Sequence, residues 1–319
     1  MSRVTHADMS NEAFPFLTMP VSYTHLRAHE TGTIEADLTV TRLAEDQFLI
    51  LTGDGTITAV QAWLRRHIPA DAHVFVTNIT SAYSVLNIQG PKSRDFLSRV
   101  THADMSNEAF PFLTMQEIDI DYALVKAIRI TYVGELGWEL YIPTEFSLHV
   151  FDTLLETGAD VGLKHMGLQA LDTLRLEKAY RDYGNDIDNT DSPLEVGLSY
   201  FVDFDKPGGF IGRDALLRRK EAGLKYRMAQ FLLEDPEPML YYGEIILRDG
   251  KPVGNIMAGG YGHTLGASVG VGPVENEGET VTVDYIKSGS YEIDIAGVRY
   301  PAKVSLRPMY DPKLKRVRG

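Results

Sequence analysis

Three charged side chains stand out on physical grounds, each open to a structural and a chemical reading. Asp37 lies in Ala36–Leu43, whose alternation puts Ala36, Leu38 and Val40 on one face and Asp37, Thr39 and Thr41 on the other. Aspartate is disfavoured inside a strand, so the position reads equally as a solvated carboxylate or as one aimed into a site. Arg175 follows Leu171 by four residues and Leu168 by seven, and so shares the apolar stripe of its helix. A guanidinium there needs a partner, because unpaired burial costs roughly several kcal/mol. An internal ion pair with Asp172 or a nearby acid is the simplest way to meet that need. Glu139 is flanked by Trp138 and Leu140 in a strand. A carboxylate among aromatics can receive two parallel N–H donors from a flat heterocycle, or pair across the sheet with a lysine or arginine.

Other chemistries find weaker support. Gly266-Ala267-Ser268-Val269-Gly270 has the G-x-S-x-G spacing of a nucleophile elbow, but no histidine follows His263 and the neighbours are β-rich. Glycines 254, 259, 260, 262 and 266 would cradle a phosphate only with a helix opening after them; bends and bulges are expected instead. Asn78-Ile79-Thr80 fits a glycosylation sequon, which carries no weight without a secretion signal. The nine histidines lack metal-ligand spacing, so no metal is expected. Zero cysteines excludes disulfides and a cysteine nucleophile, and fits a reducing, cytoplasmic compartment. A net charge of −13 argues against nucleic-acid binding, and the basic tail from Lys313 to Arg318 reads as a solvated terminus. No apolar run reaches the length of a membrane span.

The elements that must position these residues follow from periodicity. Ala36–Leu43 and Phe48–Leu51 read as strands around an Ala44–Asp46 turn, and Val60, Trp63, Leu64 and Ile68 as a helix stopped by Pro69. Ser84–Ile88 is a strand, followed by a turn and helix opened by Gly90 and Pro91. Ile128, Ile130 and Tyr132 continue a β pattern, and Trp138, Leu140 and Ile142 resume it after a glycine-bearing turn. Thr144 is positioned to cap a helix with the stripe Phe146, Val150, Phe151 and Leu154, ending at Gly158. A further helix is expected from about Gly167 to Ala179. Such a mixture indicates an α+β region over 32–224. From 225 to 319, short strands separated by turns such as Asp249-Gly250 and Glu277-Gly278 indicate a small all-β barrel or sandwich.

One feature of the chain is not a domain repeat. Ser2–Met19 reads SRVTHADMSNEAFPFLTM, and Ser98–Met115 repeats it letter for letter. Duplicated domains drift while keeping their pattern, whereas this copy is perfect and stops abruptly. The next residues, PVSYTHLRAHET from Pro20 to Thr31, look like a translated sequencing-library adapter. Residues 1–31 are therefore expected to be an assembly artefact in place of the true N-terminal part, and fold reasoning starts at Gly32.

From Gly32 onward the chain resembles the folate-binding aminomethyltransferase family. The resemblance is carried by YVGELGWELYIP (Tyr132–Pro143), LDTLRLEKAYRDYG (Leu171–Gly184), NDIDNTDSPLEVG (Asn185–Gly197), FIGRDAL (Phe210–Leu216) and GGYGHTLG (Gly259–Gly266). It implies tetrahydrofolate held in a central opening between packed domains. The family's D-L-x-V aspartate falls on Asp37, near the folate nitrogens that take up the one-carbon unit. Its pterin-binding glutamate, seven residues after a motif tyrosine, falls on Glu139, with Tyr132 as that tyrosine. Thr39 shares the strand face of Asp37 and joins the expected pocket, and Arg175 is carried as a further cofactor-binding residue. A carboxylate at the first position would orient folate and stabilise developing positive charge.

A departure sorts the subfamily. Glycine-cleavage T-proteins carry A-R-D where this chain has Ala170-Leu171-Asp172, and Leu174–Arg181 fits the L-R-x-E-K-x-Y-R run of dimethylglycine and sarcosine dehydrogenase tails. The expected function is transfer of a methylene or aminomethyl unit from a small methylamine donor to tetrahydrofolate. FAD is expected only in an upstream or partner oxidase half, since the chain has no dinucleotide-binding fingerprint. A free-standing T-protein and a non-catalytic folate-binding module are the alternatives.

Overall fold

The computed structural model describes residues 23–319. The copy at Ser2–Met19 lies outside the described residues. The first sheet has the order β1-β2-β3, all antiparallel, from Tyr23–Ala28, Ile34–Ala44 and Gln47–Thr52. Strand β1, which lies within residues 1–31, thus has a place in the fold, paired with β2. Alternation along β2 buries Ala36, Leu38 and Val40 against helix α1 (Ile57–Arg66), whose Val60, Trp63 and Leu64 face them. Burying each of the larger aliphatic side chains contributes on the order of 1.5–3 kcal/mol, which fixes the register and turns Asp37 and Thr39 to the opposite face.

The second sheet has the order β4-β7-β6-β5, from Tyr83–Gln89, Gly137–Pro143, Ala123–Ile128 and Met115–Ile120. Its core joins Trp138, Leu140, Ile142, Val125 and Ala127 to Val150 and Leu154 of helix α3 (Ser147–Gly158). Helix α2 (Ser93–Leu97) adds Phe96 and Leu97. The second copy of the duplicated segment belongs to this core through Met105 and Phe110. Helix α4 (Leu168–Glu177) leads to a turn-rich stretch, and α5 (Arg213–Ala222) precedes the C-terminal half.

That half is a seven-stranded sheet of order β10-β9-β13-β14-β8-β12-β11. The strands are β8 (Tyr226–Leu233), β9 (Ile245–Arg248), β10 (Lys251–Asn255), β11 (Ala258–Gly262), β12 (Ala267–Glu275), β13 (Tyr291–Ile295) and β14 (Val298–Ser305). The sheet curls until β10 lies against β12: a Cβ on Gly254 would stand 2.0 Å from the Pro273 carbonyl oxygen, so only glycine permits the approach. The α+β region followed by a β half-barrel matches the expected fold class. The short helix α6 (Val283–Ser288), capped by the Thr282 hydroxyl, accompanies the half-barrel, whereas α7 (Lys315–Arg318) returns to the second sheet, where Arg129 donates to the Arg318 carbonyl.

Several local expectations need correction. Strand β6 ends at Ile128, so Ile130 and Tyr132 lie in a loop. The Thr131 hydroxyl accepts the N–H groups of Val133 and Gly134 and folds the chain out of the ladder. Thr144 does not cap α3; its hydroxyl donates to the Ser81 carbonyl at 2.8 Å. Leu168 is 83% exposed, so the apolar stripe of α4 starts after it.

Candidate functional site

Between the first and second sheets lies a cavity of about 530 Å³, inside the roughly 300–1,000 Å³ usual for small-molecule sites. Its walls come from β2, β3, α1, the 77–80 loop, β4, the β6–β7 loop and β7. The opening expected between packed domains is thus formed by the two N-terminal sheets, and no wall residue lies beyond Tyr141. Four of the five expected site residues line it: Asp37, Thr39, Tyr132 and Glu139. Leu38, Leu49, Ile57, Val60 and Leu64 make its apolar side.

Asp37 is half-buried on β2. Burial pushes its carboxyl up to about 7, the nearby Asp182 carboxylate pushes the same way, and a backbone hydrogen bond at Leu38 opposes them. Proton exchange is thereby placed near neutrality, where an acid–base group is most effective. Glu139, on β7 opposite Asn87 and Ile128, has no cation across the sheet. Among the described ion pairs none involves Glu139, Asp37 or Asp182. Glu139 Oε2 instead accepts from the Tyr141 hydroxyl at 2.5 Å. Burial moves Glu139 above the usual carboxylate range, partly offset by that bond, and burial likewise moves the Tyr141 hydroxyl well upward.

Tyr132 reaches the cavity from the β6–β7 loop and donates from its hydroxyl to the Arg181 carbonyl at 2.8 Å. Its loop turns at Gly134 (φ +78°), where a Cβ would stand 2.1 Å from the buried stem of Lys178. A side chain at that position would displace the segment that presents Tyr132.

Arg175 is not on the cavity wall. Its side chain is 2% exposed, with Nε on Asp172 at 2.7 Å and Nη1 on Asp186 at 2.8 Å and on the Tyr180 carbonyl at 3.1 Å. Burial disfavours its charge, but Asp186, Tyr132 and Asp172 outweigh it and hold the guanidinium charged. Ser268 of the G-x-S-x-G run is fully buried on β12 and donates to the Pro238 carbonyl. The adjacent glycine-rich turn packs onto Glu177, whose Oε1 accepts from Thr264 and Leu265 N–H at 2.8 Å each.

Sequence reasoning missed Tyr141 and Asp182. Tyr141 had a signal, since residues two apart on a strand share a face. Asp182 had none, because it stands in a turn. Asn78 and Thr80, read only as a sequon, line the cavity, with the Asn78 carboxamide oxygen accepting from Thr80 N–H and hydroxyl. Among the described residues no cluster suits a metal ion, and no helix is long and apolar enough to cross a membrane.

Two sheets enclosing a carboxylate-lined cavity, with a curled β-domain behind them, define an aminomethyltransferase-type fold. The family model described as GCVT N-terminal domain matches residues 20–206, and that described as glycine cleavage T-protein C-terminal barrel domain matches residues 227–311. The chain belongs to the glycine-cleavage T-protein, or aminomethyltransferase, family. It is 41% identical to 4-methylaminobutanoate oxidase (formaldehyde-forming) of Paenarthrobacter nicotinovorans, over 91% of this chain and 34% of that protein. It is 37% identical to human mitochondrial sarcosine dehydrogenase, over 93% of this chain and 34% of that protein. The chain thus spans about a third of the length of these relatives. An aminomethyltransferase of Halothermothrix orenii is 35% identical over 82% of this chain and 73% of its own length. The crystal structure of the glycine cleavage system aminomethyltransferase T from Bartonella henselae shares the fold, with a TM-score of 0.77, 22% identity, and coverage of 94% of this chain and 80% of that one.

Proposed function

We propose that this chain carries out one-carbon transfer to tetrahydrofolate, as the folate-binding portion of a dehydrogenase-like demethylating enzyme. The observation that carries the proposal is the convergence on one cavity of Asp37 and Thr39 from β2, Tyr132 from the β6–β7 loop and Glu139 from β7. The residues fit such a ligand. Glu139 is a half-buried carboxylate with no cation partner, held by Tyr141, beside apolar walls suited to a flat ring. It would receive the pterin N–H donors, with Tyr132 beside it. Tetrahydrofolate supplies, when bound, the nitrogens that take up the one-carbon unit. Asp37 holds or releases a proton there, and the aliphatic wall keeps water from the reacting atoms.

The donor is a small methylamine or aminomethyl compound, delivered by an FAD-dependent oxidising half on the same polypeptide or on a partner. Leu171, standing where T-proteins have arginine, supports this placement over that of a free-standing T-protein, and the absence of cysteine suits a cytoplasmic setting. The test is methylene transfer: purified chain, tetrahydrofolate and a formaldehyde or iminium donor, with 5,10-methylenetetrahydrofolate detected above the uncatalysed rate. Failure of tetrahydrofolate to bind at all would refute the proposal.

A further inference from the structure

The turn after α4 is pinned on both sides of Asp182, to the cavity-wall residue Tyr132 on one side and to β2 on the other. The Tyr132 hydroxyl donates to the Arg181 carbonyl at 2.8 Å, and the Tyr183 hydroxyl donates to the Glu35 carbonyl at 2.8 Å. Glu35 stands two residues before Asp37 on β2. The turn is also closed from within: Asn185 Nδ2 donates to Asp182 Oδ2, and Asp182 N–H donates to Asp186 Oδ1, each at 2.6 Å. Asp182 thus lies in a turn tied on one side to Tyr132 and on the other to β2, and its carboxylate adds to burial in holding the Asp37 carboxyl up.

The nearby cations are engaged elsewhere. Arg175 is taken by Asp172 and Asp186, while Arg181 donates to the Val196 and Ala179 carbonyls. The other groups around Asp37 are the hydroxyls of Tyr132 from the β6–β7 loop and Tyr200 from the turn at Ser199–Phe201. Asp54 and Glu139 share the cavity wall, which holds no lysine, arginine or histidine, and across the β1–β2 pairing Leu26 stands opposite Asp37. Among the described residues neither carboxylate has an ion-pair partner, and a second carboxylate nearby makes the Asp37 proton harder to remove.

Resting on the transfer reading above, we propose that Asp182 is a positioning residue. The anchored turn sets its carboxylate against Asp37 and so governs how Asp37 exchanges a proton with the substrate. Asp182 touches no substrate in this scheme; it acts only through Asp37. The step it governs is a proton transfer, in which an N–H of the attacking nitrogen breaks and an O–H on Asp37 forms.

The test follows the pH dependence of methylene transfer in wild type, Asp182→Asn and Asp182→Glu, from about pH 5 to 9. Wild type is expected to show an ionisation near 7. Asp182→Asn should lower it, the direction set by removing a like charge, and Asp182→Glu should restore it. An unchanged midpoint in Asp182→Asn would overturn the proposal. Should that variant fail to fold, Tyr183→Phe removes the anchor to Glu35 and is expected to shift the midpoint the same way, by less; no shift there counts equally against it. A carbon-13 titration of aspartate carboxyls, assigned by difference from Asp37→Asn, reads the same midpoint without turnover. An elevated Asp37 midpoint that falls in Asp182→Asn, in a protein that transfers nothing, would sink the functional reading while upholding the pairing.

Discussion

Replacing Glu139 by glutamine is the sharpest probe of how the cavity would hold a pterin. The glutamate carboxylate offers two acceptor oxygens, one of which already accepts from the Tyr141 hydroxyl at 2.5 Å. A glutamine keeps the volume but converts one oxygen into a donor, which meets a ligand N–H edge donor to donor. Losing a charge-assisted contact in a half-buried site costs about 2–3 kcal/mol, or about a 30- to 150-fold rise in Kd. The pH dependence gives a second, independent reading. Burial holds the Glu139 carboxyl above its ordinary range, so the free protein takes up a proton there earlier than usual as pH falls. Tetrahydrofolate affinity in wild type should therefore weaken on acidification from a higher pH than an exposed glutamate would cause, and that contribution should vanish in Glu139→Gln. Isothermal titration calorimetry at a series of pH values measures both. If Glu139→Gln binds tetrahydrofolate as tightly as wild type, with its thermal unfolding unchanged, Glu139 does not grip the ligand and the assignment is wrong.

Other substitutions separate binding, catalysis and stability. Asp37→Asn keeps shape but removes the charge, so tetrahydrofolate should bind within a few-fold while transfer falls roughly a hundredfold or more; transfer at the wild-type rate would leave Asp37 a pocket residue and favour a non-catalytic binding module. The same variant should gain stability at alkaline pH. With Asp37 raised from 3.8 to about 7, its contribution is full below the lower value and lost as pH rises through the upper. The ceiling of about 4 kcal/mol falls to about 1–2 kcal/mol once water access to the half-buried carboxyl is allowed, which urea unfolding at pH 8 against pH 5 would detect. Arg175→Met leaves Asp186, whose side chain is 0% exposed, without its cation; about 3–5 kcal/mol should be lost, and a loss below about 1 kcal/mol would show that the ion pair is dispensable. Resequencing the source DNA across Met19–Gly32 tests the proposed foreign origin of residues 1–31, and an unbroken native gene there would refute it.

Misfit is what made part of this site legible in the sequence. Asp37 and Glu139 were visible because strands β2 and β7 alternate cleanly, and a carboxylate within such a pattern needs a reason. The same rule misled at Ile130 and Tyr132, where alternation continues but Thr131 takes the next two N–H groups into a turn. Helix α5 gave no signal because it buries only Leu216, leaving no apolar stripe to read. Arg175 shows the limit of misfit as a guide, since a charge on an apolar stripe announced burial correctly, yet its partners are Asp172 and Asp186 and the cavity wall is elsewhere. Asp182 is the converse case. Aspartate is at home in turns, so its side chain raises no local conflict, and the turn that carries it is tied down by two tyrosine hydroxyls bridging segments far apart in the chain. Residues that act on the site through another residue can satisfy every local preference. They become visible only when the fold brings their charge against a group that does not.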